Sequence, residues 1–182
     1  MIPDSPKYST MRTFIFGLFS LFSCQLFAQN MDDRGYIVTE GEAVPNFELL
    51  LLNGDSVSNE MLLGKVVVLQ FTASWCSVCR KEMPHLESEV WQQFKEDDFI
   101  LIGIDLKEDE ATTRAFIEKI GVTYPIALDL DGSLFELFAG PKQGVTRNIV
   151  IDKNGNISFL TRLYEREEFE KMISVIKLEL KK

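Results

Sequence analysis

One continuous run, Val66-Val-Val-Leu-Gln-Phe-Thr-Ala-Ser-Trp-Cys-Ser-Val-Cys79, joins a predicted strand to a closely spaced pair of cysteines. Residues 65–72 are mostly apolar or β-branched, which is typical of a central strand covered on both faces. After Cys79, apolar residues recur every three or four positions as far as Phe94, the pattern of an amphipathic helix. Pro84 falls inside this helix, where we expect a kink. The cysteines therefore lie where a buried strand meets a helix.

The other predicted elements alternate along the chain. Upstream, alternating apolar residues before the turn Asn53-Gly54 predict a small hairpin. The order of elements predicts an α/β domain over residues 41–182, with a central mixed sheet flanked by helices and a β extension at its N-terminal side. The downstream elements are a strand at 99–105, a helix at 110–120 that Gly121 ends, a short strand ending at Asp129, helical turns at 133–138, a hairpin around 152–155 and a helix at 167–180.

The first 28 residues have the layout of a secretory signal peptide. Arg12 precedes about fifteen mostly apolar residues, 14–28, and a polar stretch follows them. The apolar run is shorter than the roughly 20 residues that span a bilayer, so a cleaved leader is favoured over a permanent anchor. We expect translation from Met11, cleavage after Ala28 and a linker over residues 29–40.

Cys24 offers an alternative in which the chain is a lipoprotein anchored through this residue. Residues 21–24, Leu-Phe-Ser-Cys, loosely resemble a lipoprotein cleavage box, but the bulky Phe22 fits that box poorly. Cleavage after Ala28 is therefore preferred, and it removes Cys24 with the leader. Both routes export the protein, and we expect it in the periplasm.

The mature chain then keeps two cysteines, Cys76 and Cys79. A disulfide that closes so short a loop restricts the unfolded chain much less than a long-range cross-link does, so redox chemistry is the better use of the pair. Half of a zinc site is the alternative, but the chain has a single histidine, His85, and no second Cys-x-x-Cys. The sequence predicts no metal and no cofactor besides the redox-active disulfide.

The two thiols are expected to play different roles. Cys76 lies at the helix N-terminus, where free N–H groups and the helix dipole favour a thiolate, so we expect it to attack. Cys79 lies one turn further on and is expected to resolve the mixed disulfide. Glu82 shares a helix face with Cys79; it is either a solvated carboxylate or, if buried, a group of raised pKa that exchanges protons with this thiol. Trp75 is predicted to be a partly exposed platform beside the sulfur rather than a core aromatic residue.

The charge of the chain bears on its partners. The formal net charge is −9 and the isoelectric point is near 4.7. Nucleic-acid binding depends on clustered Lys and Arg that displace phosphate counterions, so this composition excludes nucleic acid as a partner. We expect a monomer.

Residues 72–84 read Thr-Ala-Ser-Trp-Cys-Ser-Val-Cys-Arg-Lys-Glu-Met-Pro, which closely resembles the signature of the TlpA/ResA-like branch of the thioredoxin superfamily. The similarity begins near Gly41 and extends through the hairpin at 151–155. It implies a thioredoxin-like fold and an exported bacterial thiol-disulfide oxidoreductase that acts on protein clients, more often as a reductant. It also implies an upstream thiol electron donor in the membrane, and a role for Glu82 in assisting the cysteines.

The chain departs from this family in one loop. The family has a cis-proline before the strand that ends in Ile-Asp, where this chain has Thr146. Because a cis bond before a residue other than proline costs about 2.5 to 4 kcal/mol, the sequence predicts a trans peptide between Val145 and Thr146. The loop is still expected to face the cysteines, with Val145 and Thr146 contacting a client. Arg147 is expected either to support the Cys76 thiolate or to form an ion pair of no functional weight.

Two other functional classes stay open. Thr146 and Arg147 resemble the Thr and Arg that activate a peroxidatic cysteine in peroxiredoxins, but there the Thr precedes the cysteine by three residues, where this chain has Ala73. A binding module with an incidental dithiol is the third class. The direction of electron transfer depends on the redox potential and the partner, which residue types do not specify.

Overall fold

The computed structural model describes Met1 and residues 31–182. The predicted signal peptide, with its start at Met11, Cys24 and the cleavage after Ala28, lies outside the described residues. Within residues 31–182, no helix combines the length and apolar character needed to cross a membrane.

The described chain is an α/β domain, as predicted. Helix α3 has the predicted bounds, and Gly121 ends it in the left-handed conformation with φ of 79°. Two 3-10 turns, Asn59–Leu62 and Phe135–Leu137, lie in connections. The strands and helices are β1 Glu48–Leu51, β2 Ser56–Ser58, β3 Val66–Thr72, α1 Ser77–His85, α2 Gln92–Phe94, β4 Phe99–Leu106, α3 Glu110–Ile120, β5 Ile126–Asp129, β6 Arg147–Ile151, β7 Ile157–Arg162 and α4 Arg166–Leu180.

The seven strands found in residues 31–182 form one mixed sheet in the order β2-β1-β5-β4-β3-β6-β7. Strands β3, β4 and β5 are parallel neighbours, while β6 pairs antiparallel with β3 and β7 pairs antiparallel with β6. Strand β3 lies inside the sheet and is buried at every position. The prediction of a thioredoxin-like fold with a central mixed sheet is confirmed.

The sheet has two unlike faces, which β3 shows by alternation. Gln70 and Thr72 face α1, where Thr72 contacts the sulfur of Met83. Phe71 faces the other way and packs against Phe135 and Phe138, with ring centroids 5.3 and 5.6 Å away. Helix α1 thus lies over one face, and 3-10 turns and the N-terminal segment cover the other.

Pro84 changes the helix that follows the cysteines. The helix is regular from Ser77 to His85, becomes π-helical over Leu86–Trp91 and ends with α2. Proline has no N–H to donate to the preceding turn, so the ladder of backbone hydrogen bonds is interrupted there. The irregularity follows directly after the residue at which the sequence predicts a kink.

The predicted linker at 29–40 differs from what is found in its described part. Residues 31–40 pack against the domain, and Tyr36 is fully buried. The Tyr36 hydroxyl donates to the carbonyl of Thr161 at 2.6 Å, and the backbone N–H of Ile37 donates to the carbonyl of Phe138. The segment is part of the core because an aromatic ring and its hydroxyl both find partners there.

Replacing Tyr36→Ala should therefore destabilise the domain by about 3 to 5 kcal/mol, the usual cost of truncating a buried aromatic residue. Urea denaturation followed by circular dichroism measures this loss. Met61→Ala, at an exposed position, should change the free energy of unfolding by no more than about 0.5 kcal/mol. A loss below about 1 kcal/mol for Tyr36→Ala would mean that the segment is only loosely attached.

Candidate active site

Cys76 and Cys79 are joined by a disulfide at the start of α1, with their Cα atoms 5.3 Å apart. Cys76 is the N-cap residue of this helix, and its Sγ accepts a hydrogen bond of 3.1 Å from the backbone N–H of Cys79. A helix N-terminus carries free N–H donors and partial positive charge, which favour negative charge on this sulfur. The geometry suits Cys76 to exist as a thiolate after reduction.

The two cysteines differ in access. Cys76 keeps 6% of its surface exposed, whereas Cys79 has none. Trp75, directly before Cys76, is 61% exposed and forms part of the surface beside the disulfide. An incoming thiolate can therefore reach the sulfur of Cys76 but not that of Cys79.

Glu108 holds the segment that leads into the disulfide. Its carboxylate accepts hydrogen bonds of 2.6 Å from both the backbone N–H and the hydroxyl of Ser74. Arg80 on α1 donates to the backbone carbonyl of Ser74. These contacts fix the backbone between the end of β3 and the first turn of α1.

Glu82 is buried on α1, one helical turn beyond Cys79. Its carboxyl group accepts hydrogen bonds from three uncharged side chains: Gln70 at 3.3 Å, Thr146 at 3.0 Å and Asn148 at 2.8 Å. Residues three apart on a helix are neighbours on one face, so Glu82 and Cys79 share the same buried side of α1.

Burial raises the pKa of Glu82 to about 7. The three hydrogen bonds act in the opposite direction because they stabilise the ionised carboxylate, but desolvation is the larger effect. A carboxyl group that titrates near neutral pH can both give and accept a proton under physiological conditions.

The hydrogen bonds continue from Glu82 into the core. Tyr124 donates from its hydroxyl to Gln70 Oε1 at 2.9 Å, and Asn148 also donates to Thr161 Oγ1 at 2.9 Å. These four side chains were not among the sequence candidates. Gln70 and Asn148 could have been found as single amides inside otherwise apolar strands, because buried polar side chains need partners.

The loop before β6 reaches the same place, but its backbone differs from the expectation. The peptide between Val145 and Thr146 is cis, so the prediction of a trans bond was wrong. The contacts that Thr146 makes beyond this bond depend on tertiary structure: its hydroxyl meets Glu82, and its carbonyl accepts from the backbone N–H of Leu163 at 3.1 Å. The energetic cost of a cis bond, when it is taken from the dipeptide alone, does not include these contacts.

The predicted client-contacting residues separate into two groups. Trp75 is exposed, and Val145, in the loop before β6, is 7% exposed. Thr146 is fully buried, and its hydroxyl contacts Glu82. Arg147 is also fully buried and lies on the opposite sheet face from Glu82, over the ring of Tyr36 at 4.5 Å. The structure does not bring Arg147 to the surface near Cys76, so neither of its two expected roles has support from this placement.

Residues 41–160 match the AhpC/TSA family, which covers more than half of the chain. The chain belongs to this family. The thiol-disulfide oxidoreductase ResA of Halalkalibacterium halodurans is 29% identical over 154 residues, which cover 85% of this chain and 86% of that protein.

Two solved structures agree with this relationship. A candidate protein disulfide isomerase from Bacteroides thetaiotaomicron is 48% identical, with a TM-score of 0.79 over 81% of this chain and 94% of its own. The second structure is a candidate thiol:disulfide interchange protein DsbE from Chlorobium tepidum. It is 24% identical, with a TM-score of 0.70 over 79% of this chain and 99% of its own, and it supports the fold alone. The predictions of a ResA-like relationship and of a protein-disulfide oxidoreductase are confirmed.

The raised pKa of Glu82 predicts how stability depends on pH. The folded state binds the proton of the Glu82 carboxyl group more tightly than the unfolded state does. The stabilisation that this proton gives is therefore complete below about pH 4.5 and is lost as the pH rises through about 7. Glu82→Gln removes this dependence. The free energy of unfolding of the variant should therefore rise by about 3 kcal/mol, relative to that of the parent protein, as the pH is raised from 4.5 to 8.

Urea denaturation of both oxidised proteins across this pH range measures the difference. Glu118→Gln, a substitution on the exposed face of α3, should keep the parental pH dependence. A difference between Glu82→Gln and the parent that stays constant with pH would show that Glu82 is not desolvated in the folded state.

Proposed function

We propose that this protein is exported and reduces disulfides of protein clients through the Cys76–Cys79 pair, with Glu82 as the proton partner of Cys79. The observation that carries this proposal is the disulfide at the helix N-terminus, in which only Cys76 is accessible and Cys79 precedes, by one helical turn, a buried acid of pKa about 7.

The first step is attack by the reduced protein. The Cys76 thiolate attacks one sulfur of a client disulfide, the client S–S bond breaks, and a bond forms between Cys76 Sγ and the attacked sulfur. The other client sulfur leaves as a thiolate and takes a proton from water. Cys76 attacks before Cys79 because its sulfur is the one that a client can reach.

The second step releases the client. The Cys79 thiol gives its proton to the Glu82 carboxylate and attacks Cys76 Sγ, and the client sulfur leaves as a thiolate. The client has then gained two electrons, and the Cys76–Cys79 disulfide is restored. When an upstream thiol donor reduces this disulfide, Cys79 leaves as a thiolate and recovers the proton from Glu82.

The surface around Cys76 suits a protein client. Trp75 offers an exposed aromatic side chain next to the sulfur. On the other side, the Val145 backbone has no hydrogen bond within the described part of the chain, so its groups are free to pair with a client main chain. Trp75 and Val145 are therefore the proposed docking residues.

The predicted leader supports the proposed place of action. A signal peptide cleaved after Ala28 would deliver the domain to the periplasm, where a protein reductant needs an upstream thiol donor in or at the membrane. We propose that the exported domain acts as a monomer.

Peroxide reduction has less support. It would require Thr146 and Arg147 to converge on Cys76, but Thr146 bonds Glu82 and Arg147 lies on the opposite face of the sheet. Hydrogen peroxide should therefore be consumed no faster by the reduced protein than by a simple dithiol. A much faster rate that Cys76→Ser abolishes would favour a thiol peroxidase.

Single cysteine substitutions test the division of labour. Cys79→Ser should accumulate mixed disulfides with clients, because attack still occurs and release does not; Cys76→Ser should form none. Reduction of insulin with dithiothreitol as donor should fall to the uncatalysed rate in Cys76→Ser. An unchanged rate in Cys76→Ser would instead indicate a binding module with an incidental dithiol.

The redox potential tests the direction of transfer. Equilibration of the Cys76–Cys79 couple with dithiothreitol buffers should give a value near that of thioredoxin, about −270 mV, as expected for a reductant. A value near about −120 mV would assign the protein to oxidation instead.

A further inference from the structure

Thr146 has an unusual position in the surroundings of Glu82. Its hydroxyl oxygen lies 3.0 Å from Glu82 Oε2 and 3.3 Å from the carbonyl oxygen of Phe71. The residue is fully buried. One hydroxyl proton thus has two acceptors within reach.

The other two partners of Glu82 are amides with a set orientation. Gln70 accepts from Tyr124 at its oxygen, which turns its NH2 group toward Glu82. Asn148 shares its NH2 group between Glu82 and Thr161. An amide nitrogen only donates, so either amide would have to turn by half a revolution before it could accept a proton from Glu82.

A hydroxyl has no such restriction. It is a donor and an acceptor at once, and its proton moves by rotation about a single C–O bond. Among the three side chains that contact the carboxyl group, Thr146 is the one that can exchange donation for acceptance without moving a heavy atom.

We propose that Thr146 is a positioning residue for both protonation states of Glu82. Its hydroxyl donates to the ionised carboxylate, and turns to the Phe71 carbonyl and accepts from Glu82 once that group is protonated. The inference rests on the proposed function, in which a proton moves between Cys79 and Glu82. Thr146 keeps its own proton throughout and only redirects it, so no further donor or acceptor is required.

Thr146, the loop residue that departs from the family pattern, thus has a chemical role. The Thr146 hydrogen bond is one of the three contacts that lower the pKa of Glu82 against the effect of burial. A proline at this position has no hydroxyl and makes no such contact. Thr146 therefore favours ionised Glu82, the form that accepts the proton of Cys79, and still satisfies the protonated form.

Two substitutions of Thr146 separate this role from simple packing. Thr146→Val keeps the branched shape and removes the hydroxyl, while Thr146→Ser keeps the hydroxyl. The pKa of Glu82 is measured in the oxidised protein by ¹³C NMR of its carboxyl carbon, which Glu82→Gln assigns. The valine variant should raise the midpoint by about one unit, because an ionised acceptor loses a donor, and the serine variant should stay within a few tenths of the parent.

Thr113→Val is the matched control. It removes another buried hydroxyl, which donates to the Asp109 carbonyl and not to Glu82, and should leave the midpoint unchanged. The pH midpoint of insulin reduction should move with the NMR midpoint in Thr146→Val. If the valine variant does not fold, Thr146→Ala takes its place with the same expected shift.

The proposal is overturned if Thr146→Val leaves the Glu82 midpoint in place, or if Thr146→Ser shifts it as far as valine does. Failure of the proposed function has a different signature: Cys76→Ser would then reduce insulin at the parental rate whatever the titration of Glu82 in the Thr146 variants.

Discussion

The architecture around the disulfide depends on the burial of one carboxyl group with uncharged partners. Glu82 comes from α1, Gln70 from the central strand β3, and Thr146 and Asn148 from the segment that pairs antiparallel with it. A displacement of any of these elements would leave a buried carboxylate without a donor, which costs about 1–3 kcal/mol or more for a charged group. The carboxyl group of Glu82 thus aligns the helix bearing the cysteines with the loop that faces them.

This loop is held from both faces of the sheet. Thr146 points to the helical face and bonds Glu82, whereas Arg147 points to the opposite face, donates to the carbonyls of Gly144 and Arg34, and lies over Tyr36. Arg147 is therefore better understood as support for the loop than as a charge beside the disulfide. The N-terminal segment, through Tyr36 and Arg34, is part of the same support.

The local features of this protein follow from its sequence, and the tertiary ones do not. Helical periodicity and Gly121 correctly predict α3, and a β-branched run followed by Cys-x-x-Cys predicts the site at the end of β3, because both signals lie within a few residues. Gln70 was overlooked since periodicity treats an amide in an apolar strand as an exception, although its partner, Glu82, is twelve positions away.

The wrong expectation for the Val145–Thr146 peptide and the unpredicted burial of Arg147 have the same origin. The conformation of the Val145–Thr146 peptide and the burial of Arg147 depend on contacts with Glu82, Leu163 and Tyr36 that are distant in sequence. Dipeptide preferences and charge patterns carry no information on such contacts. Glu82 is a candidate from the sequence because its spacing from Cys79 is local, but whether it is buried or solvated could be decided only from the fold.

In the proposed mechanism, Glu82 supplies the proton to Cys79 when the disulfide is opened. Stopped-flow measurement of dithiothreitol attack on the oxidised protein, expressed per donor thiolate between pH 5 and pH 9, tests it most directly. We expect the rate to fall as the pH rises through about 7, where Glu82 loses its proton, and we expect no such fall in Glu82→Gln. Identical pH profiles for the two proteins would contradict it.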